Sequence, residues 1–315
     1  MLAQDYVNDA ALNDGYNIIN RNPFASLYGV SSQQPGQIPA AGELSGAFQL
    51  EFANNFASST AAGDTVVLDG ESIYATLDMR RGFGNGWSGG LEIPLVNHSG
   101  GFLDGIIESW HDLFGIDDDR DATQKDQLDY RYSRGATTLA DVDDSVTGFG
   151  DVRLNIGKSL IEGDETAASA WFQVKLPTGD AEDLTGSGAF DVSARLQGSQ
   201  RLGTYTTLYG GAGIAWLGEG DVLADQQEDF AGSFTAGLSW QRWSRVALKV
   251  QLDGQTSLYS DAPDQVGSDA AQLSFGGSFY IGKRTIFDLA VVEDEINGDA
   301  SPDFGIHMRV RRISQ

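Results

Sequence analysis

Three histidines, His98, His111 and His307, are the only imidazoles in the 315-residue chain, so proton-relay chemistry near neutral pH would have to rest on one of them. Gly86-Trp87-Ser88-Gly89-Gly90 matches the G-x-S-x-G pattern of serine hydrolases, but it sits at a turn entering a strand rather than at a strand-to-helix elbow. Gly210-Gly211-Ala212-Gly213 is followed by no helix and no Lys-Ser/Thr pair, which excludes a phosphate loop. Asp117-Asp118-Asp119-Arg120-Asp121 offers hard oxygen ligands for Ca2+ or Mg2+. It is not an EF-hand, because Ala122 and Leu128 stand where that loop needs Gly and Glu. With no cysteine there is neither a disulfide framework nor a thiolate metal site. No cofactor is expected beyond such a divalent ion on the acidic loops.

A larger set of chemistry-bearing residues is spread through the chain at alternate positions of apolar segments. Glu51, Asp78, Glu92, Asp151, Arg153, Lys175, Arg195, Lys249, Asp253, His307 and Arg309 each stand between apolar neighbours. Phe48, Leu50 and Phe52 alternate with Gln49 and Glu51; Leu248, Val250 and Leu252 alternate with Lys249, Gln251 and Asp253. A period of two puts the apolar set on one face of a strand and the charged set on the other. About twelve such strands follow residue 43, an even number, which predicts an all-β fold: a transmembrane antiparallel β-barrel with its polar face inward. In a wide lumen these charges line water and select solutes; in a narrow one they pair and close it.

The joints sort by length. Short ones are expected near 82–86, 162–165, 201–203, 243–245 and 282–284, and longer ones near 58–63, 98–146, 177–187, 218–228, 259–267 and 296–302. That order places brief turns on one rim and loops on the other. Trp87, Trp171, Trp216, Trp240 and Trp243 would suit the aromatic girdles. No apolar run reaches the length of a membrane-spanning helix, and a mean hydropathy of −0.24 is uninformative for a barrel that exposes apolar side chains only at alternate positions. The net charge of −25 argues against nucleic acid and against direct binding of anionic head groups.

Residues 1–42 lack strand periodicity and are expected to form a periplasmic or luminal segment that could fold inside the barrel as a plug; the barrel is expected over 43–315. Leu2-Ala3-Gln4-Asp5 reads as the remainder of a signal-peptide cleavage site behind an added Met1, and export follows as an expectation. Within the 98–146 insertion, residues 102–114 predict a short amphipathic helix. Phe102, Ile106, Trp110, His111 and Phe114 would form an entrance patch that captures or gates an apolar ligand, or else pack on the barrel mouth.

Asn22-Pro23-Phe24, the Phe102-Leu103-Asp104 to Phe114-Gly115 stretch with Arg120, and Tyr130-Arg131-Tyr132 resemble an uncharacterised proteobacterial family of outer-membrane proteins, a domain of unknown function. The resemblance implies an outer-membrane barrel and supplies no activity. Gly148-Phe149-Gly150-Asp151-Val152 and Lys175-Leu176-Pro177-Thr178-Gly179 are similar to motifs of outer-membrane proteins linked to uptake of aromatic compounds. Taken together, the sequence predicts a monomeric barrel in a Gram-negative outer membrane, in contact with lipid and lipopolysaccharide. It would pass a small solute passively, an apolar or aromatic one by preference, with partial occlusion favoured over an open pore. No enzyme is expected; the alternatives are an outer-leaflet lipid hydrolase using His98 or His111, and a closed structural or adhesion barrel.

Overall fold

The computed structural model describes residues 10–36, 38–61, 63–101, 127–163, 165–297 and 300–312. Twelve long strands form the wall: β1 (Leu44–Ala61), β2 (Asp64–Gly84), β3 (Trp87–Ser99), β7 (Arg153–Ile161), β8 (Thr166–Lys175), β9 (Asp191–Arg201), β10 (Thr206–Leu217), β11 (Phe230–Trp243), β12 (Val246–Gln255), β13 (Ala270–Tyr280), β14 (Thr285–Asn297) and β15 (Phe304–Arg312). Each pairs antiparallel with its neighbours, and β1 pairs with β15 from Gly46↔Arg312 to Asn54↔Phe304, which closes the sheet. Three short strands, β4 (Asp129–Arg134), β5 (Thr137–Val142) and β6 (Val146–Phe149), extend the sheet along β2 and β3 at the long-loop rim.

The alternation predicts the two faces because the pleat sends successive side chains to opposite sides. Leu77, Leu154, Phe172, Leu196, Ile214 and Leu238 stand exposed on the outside, whereas Glu51, Asp78, Arg153, Lys175 and Arg309 are buried inside. Apolar out and charged in is the reverse of a water-soluble fold and is what a barrel in hydrocarbon requires. No helix among the described residues is long and apolar enough to cross a membrane. The β2–β3 turn runs through positive φ at Gly84 (88°), Asn85 (53°) and Gly86 (73°), the conformation that lets a tight turn follow the strand twist.

Three expectations need correction. The 58–63 joint is not a long loop: β1 and β2 stay paired to Ala61↔Asp64, seven residues beyond the last β1–β15 partner, or about 24 Å of strand. The 98–146 insertion carries strand as well: β4 and β5 continue the sheet along this projecting hairpin, satisfying an edge that would otherwise be open. Trp171 is not a girdle residue, because its register turns it inward, where it is 5% exposed with the Arg80 guanidinium 4.9 Å from its ring. Trp87, Trp216, Trp240 and Trp243 are exposed on the outer face.

Candidate functional site

Residues 10–36 run inside the barrel. The chain rises from the short-turn rim, where Ala11 and Leu12 pack on Ala247 and Ile286. Tyr16 and Ile18 then lie against Ala290 and Val292. A 3-10 turn at Ala25–Leu27 reverses it near the long-loop rim. On the way down, Ser31 and Gln34 meet the β8–β11 wall, and the chain reaches the rim again at the Ala41↔Gly82 bridge. That crossing is tight: a Cβ on Gly82 would lie 2.1 Å from the carbonyl oxygens of Pro39 and Ala40.

The wall grips this segment mainly through side chains. Gln251 accepts from the Tyr16 N–H (2.8 Å) and donates to the Tyr16 carbonyl (3.0 Å). Gln197 does the same at Gln34, at 3.0 and 2.7 Å. Two inward amides thus replace strand partners for a segment that has none, which satisfies buried backbone groups. At the turn, Lys175 Nζ donates to the Leu27 carbonyl (3.0 Å) and pairs with Asp151 (2.5 Å) and Asp191 (3.2 Å), while the Gly29 N–H donates to Asp191 (2.7 Å). Asp151 also accepts from the backbone N–H groups of Thr178, Gly179 and Ser187. The two motifs likened above to aromatic-uptake proteins therefore meet in one buried clasp beneath the segment.

Outside this clasp, the expected luminal residues divide into two ion clusters and several single contacts. Arg21 of the segment pairs with Glu51 and stands 4.0 Å over the Tyr74 ring, and His307 lies 3.5 Å from Glu51. Asp78 holds both Arg80 (2.9 Å) and Arg309 (2.8 Å), and Arg80 reaches Glu92 at 3.3 Å. Arg195 donates to the Ser31 carbonyl (3.2 Å) and Lys249 to the Asp14 carbonyl. Arg153 is buried, with no hydrogen-bond partner at Nε. Phe102, Ile106, Trp110, His111 and Phe114, with the acidic run 117–121, lie outside the described residues. Among the described residues no group of three or more potential ligands could hold a metal ion.

Sequence reasoning missed the partners supplied by the segment, namely Asp14, Arg21, Gln33 and Gln34, because their spacing follows no period. It also missed Arg80, Asp191, Asp288 and Arg311. The inward parity of Asp78 would have found Arg80 two residues on. His98 does not face an outer leaflet: it is fully buried, with Nδ1 2.7 Å from the Ser72 hydroxyl and Nε2 3.1 Å from the Leu184 carbonyl. Ser88, inward on the same strand ten residues away, is about 33 Å from it, too far for a nucleophile and its base.

The two ends of the lumen differ. At the long-loop rim, Phe24, Leu27 and Tyr28 are buried with Val66, Leu68, Tyr130, Tyr132, Leu223 and Tyr259 in one apolar cap. Phe24 meets Tyr132 and Tyr259 edge-on, with ring centroids 6.0 and 6.5 Å apart. Burial pushes the Tyr28 and Tyr259 phenols well above their ordinary value. On the projecting hairpin, burial alone would raise the Asp64 carboxyl. Hydrogen bonds from Tyr132 (2.7 Å), Arg134 (3.2 Å) and Gln226 (3.0 Å) outweigh that and hold it below the usual carboxylate range. At the short-turn rim, beside the segment, lies a vestibule of about 750 Å3, bordered by Asp14, Gln33, Asp78, Arg80, Arg309 and Arg311.

Comparison with known proteins adds the following. The family described as "Protein of unknown function (DUF3187)" matches residues 7–312. No curated protein matches the chain by sequence. Among solved structures, the COG4313 outer membrane channel from Pseudomonas putida F1 superposes with a TM-score of 0.58 at 13% identity, over 89% of this chain and 98% of that one. The NanC porin gives 0.46 at 8% identity, over 86% and 100%. The Ralstonia pickettii toluene transporter TbuX gives 0.41 at 8% identity, over 94% and 92%. The first of these likenesses bears on the fold; the other two scores are too low to carry an argument.

Proposed function

The chain belongs to the DUF3187 family of proteins of unknown function and folds as a closed twelve-stranded barrel of the outer membrane, and from that premise we propose that it is a passive channel for a small solute, gated by its own residues 10–36. Short turns face the periplasm and long loops face outward in such barrels. The observation that carries the reading is the way the lumen is filled. A structural barrel of this size could close by packing its own inward side chains. Here the wall leaves room for a separate segment, holds its backbone through glutamine amides and a few ion pairs, and keeps an open vestibule beneath it. Each neutral hydrogen bond is worth only about 0.5–1.5 kcal/mol net, because water replaces it when the segment leaves. The outer cap is the apolar part of the path, and an apolar or aromatic solute arriving there would meet Phe24, Tyr28, Tyr130 and Tyr259. The burial of His98 and its distance from Ser88 speak against a hydrolase built on His98, while His111 lies outside the described residues.

The test is liposome swelling with the full chain and with a chain lacking residues 10–36. Faster solute entry in the shortened chain, with barrel content unchanged by circular dichroism, is the expected result. A folded shortened chain that passes nothing would overturn the channel reading in favour of a closed structural barrel.

A further inference from the structure

The net charge of −25 conceals an uneven distribution, and the periplasmic rim carries its exception. Arg81, Arg242, Arg245, Lys283, Arg284 and Arg312 stand on the turns and strand ends that run from β11 round to β2. Those seven strands are neighbours through the β15–β1 closure, so at about 4.8 Å per step the arc spans roughly 29 Å. Asp78 and Asp288 near this rim point inward and are taken by Arg80, Arg309 and Arg311. Glu43, at the start of β1, accepts from the Ala40 N–H (3.0 Å). Arg245 donates to the Tyr280 (2.9 Å) and Gly282 (3.3 Å) carbonyls, which ties the β11–β12 turn to the β13–β14 turn without cancelling its charge. Among the described residues, Arg81, Arg245, Lys283 and Arg312 make no ion pair.

Parity decides which side of the wall these charges serve. Arg81 and Arg312 are exposed and continue the outward rows of Met79 and Val310, whereas Arg80 and Arg311 face the lumen. Arg312 also borders the vestibule; Arg81 and Lys283 do not. On the β11–β12 side, the Arg242 guanidinium stands 5.0 Å over the Tyr205 ring, and Trp240 meets Trp243 edge-on at 5.3 Å. Aromatic rings and cations thus share one level at the end of the apolar band, where hydrocarbon gives way to head groups. The β7–β8 turn, elsewhere on the same rim, exposes Glu162 and Glu165 instead. The basic arc is therefore one-sided and opens toward lipid.

We propose that this arc binds the phosphodiester of an anionic phospholipid, of the phosphatidylglycerol type, in the periplasmic leaflet. Guanidinium groups pair with phosphate oxygens in a matched fork. A lipid held there by its head group would lay its chains along the outward rows of Met79, Trp240 and Val310. A zwitterionic lipid brings its own ammonium to the same place, where the arc repels it. A soluble anion has no apolar body for those rows and gains less. The proposal goes beyond the channel reading and holds whether or not solute passes.

The experiment titrates the full chain in neutral detergent micelles with phosphatidylglycerol and with phosphatidylethanolamine of matched chains, reading bound lipid by native mass spectrometry. Phosphatidylglycerol is expected to bind at least about tenfold tighter, as several cations each worth a few-fold require. A large excess of inorganic phosphate is expected not to displace it. Arg81→Gln/Lys283→Gln should weaken it about two- to fivefold for each cation removed, so about 4- to 25-fold for the pair. Arg81→Lys/Lys283→Arg, which keeps both charges, should bind as the wild type does. Arg131→Gln/Lys158→Gln removes the same charge from β4 and β7, outside the arc, and should leave the affinity unchanged. Circular dichroism checks the barrel content of every variant. Equal affinity of the wild-type chain for the two lipids, displacement by phosphate, or an equal loss in the two Gln pairs would each overturn the site. None of these outcomes touches the channel reading, because the measurement involves no flux.

Discussion

Gly29→Ala isolates the docking of the luminal segment from the integrity of the wall. Gly29 lies on the descending arm, where its N–H donates to Asp191 (2.7 Å) beside the Lys175 clasp. A Cβ added there would meet Asp191 Cβ at 2.9 Å and Lys175 Cβ at 3.1 Å, both stems of side chains held by several bonds and unable to swing aside. The segment must lift, and overpacking of this kind costs about 1–3 kcal/mol. The clash exists only in the docked state, so the cost falls on that state alone. Converted at about 1.4 kcal/mol per tenfold, it lowers the docked-to-undocked ratio by ~5- to ~150-fold. In planar bilayers the open probability of single channels should rise by a factor in that range, with unit conductance unchanged. An unaltered open probability in a folded Gly29→Ala chain would refute the reasoning, because a close, rigid contact between the segment and the wall would then have no bearing on permeation.

Two further outcomes follow from the cap. Phe24→Ala removes a fully buried ring from between Tyr132 and Tyr259, a loss of about 3–5 kcal/mol, so it should raise open probability more than Gly29→Ala does; the reverse order in the same bilayer assay would contradict the cap's role. The Asp64 carboxyl is held below its ordinary value, so its contribution is complete above the unfolded value of about 3.9 and is lost as pH falls through the lower folded value. Pepsin cleavage of the projecting hairpin should therefore accelerate below about pH 4 in the wild-type chain, whereas Asp64→Asn should be cleaved readily at every acidic pH; identical profiles would count against the Asp64 contacts.

The barrel was legible because its rule is local. One residue in two faces lipid, so Leu248, Val250 and Leu252 reveal their strand and Lys249 its inward direction without any tertiary information. That same rule gives Glu51, Asp78, Lys175 and Arg309 the inward parity, and all four are buried. Partnership was not legible. Lys175 meets Asp151 across 24 positions and the Leu27 carbonyl across 148, distances set by barrel closure and by the path of a segment with no period of its own. The segment's hydrogen bonds go to side chains such as Gln197 and Gln251, which leaves no alternation in residues 10–36 to read. Trp171 was misplaced for another reason: its residue type suggested the interface, while its register, between outward Ala170 and Phe172, pointed it inward. The paired extension of β1 and β2 was hidden because beyond the hydrocarbon both faces of a hairpin are free to carry Ser, Thr and Asp.

The central claim, that solute passes only when residues 10–36 leave the wall, is open to one direct measurement. The Ser31 and Ser233 hydroxyl oxygens lie 3.5 Å apart, one on the segment and one on β11, and the chain contains no cysteine. A Ser31→Cys/Ser233→Cys pair in the Gly29→Ala background would tie the segment to the wall when oxidised, needing only a small approach to a bond of about 2.05 Å. Single-channel current should fall to the bare-lipid level on oxidation and return on reduction. Current that persists unchanged with the cross-link verified by mass spectrometry would contradict the account.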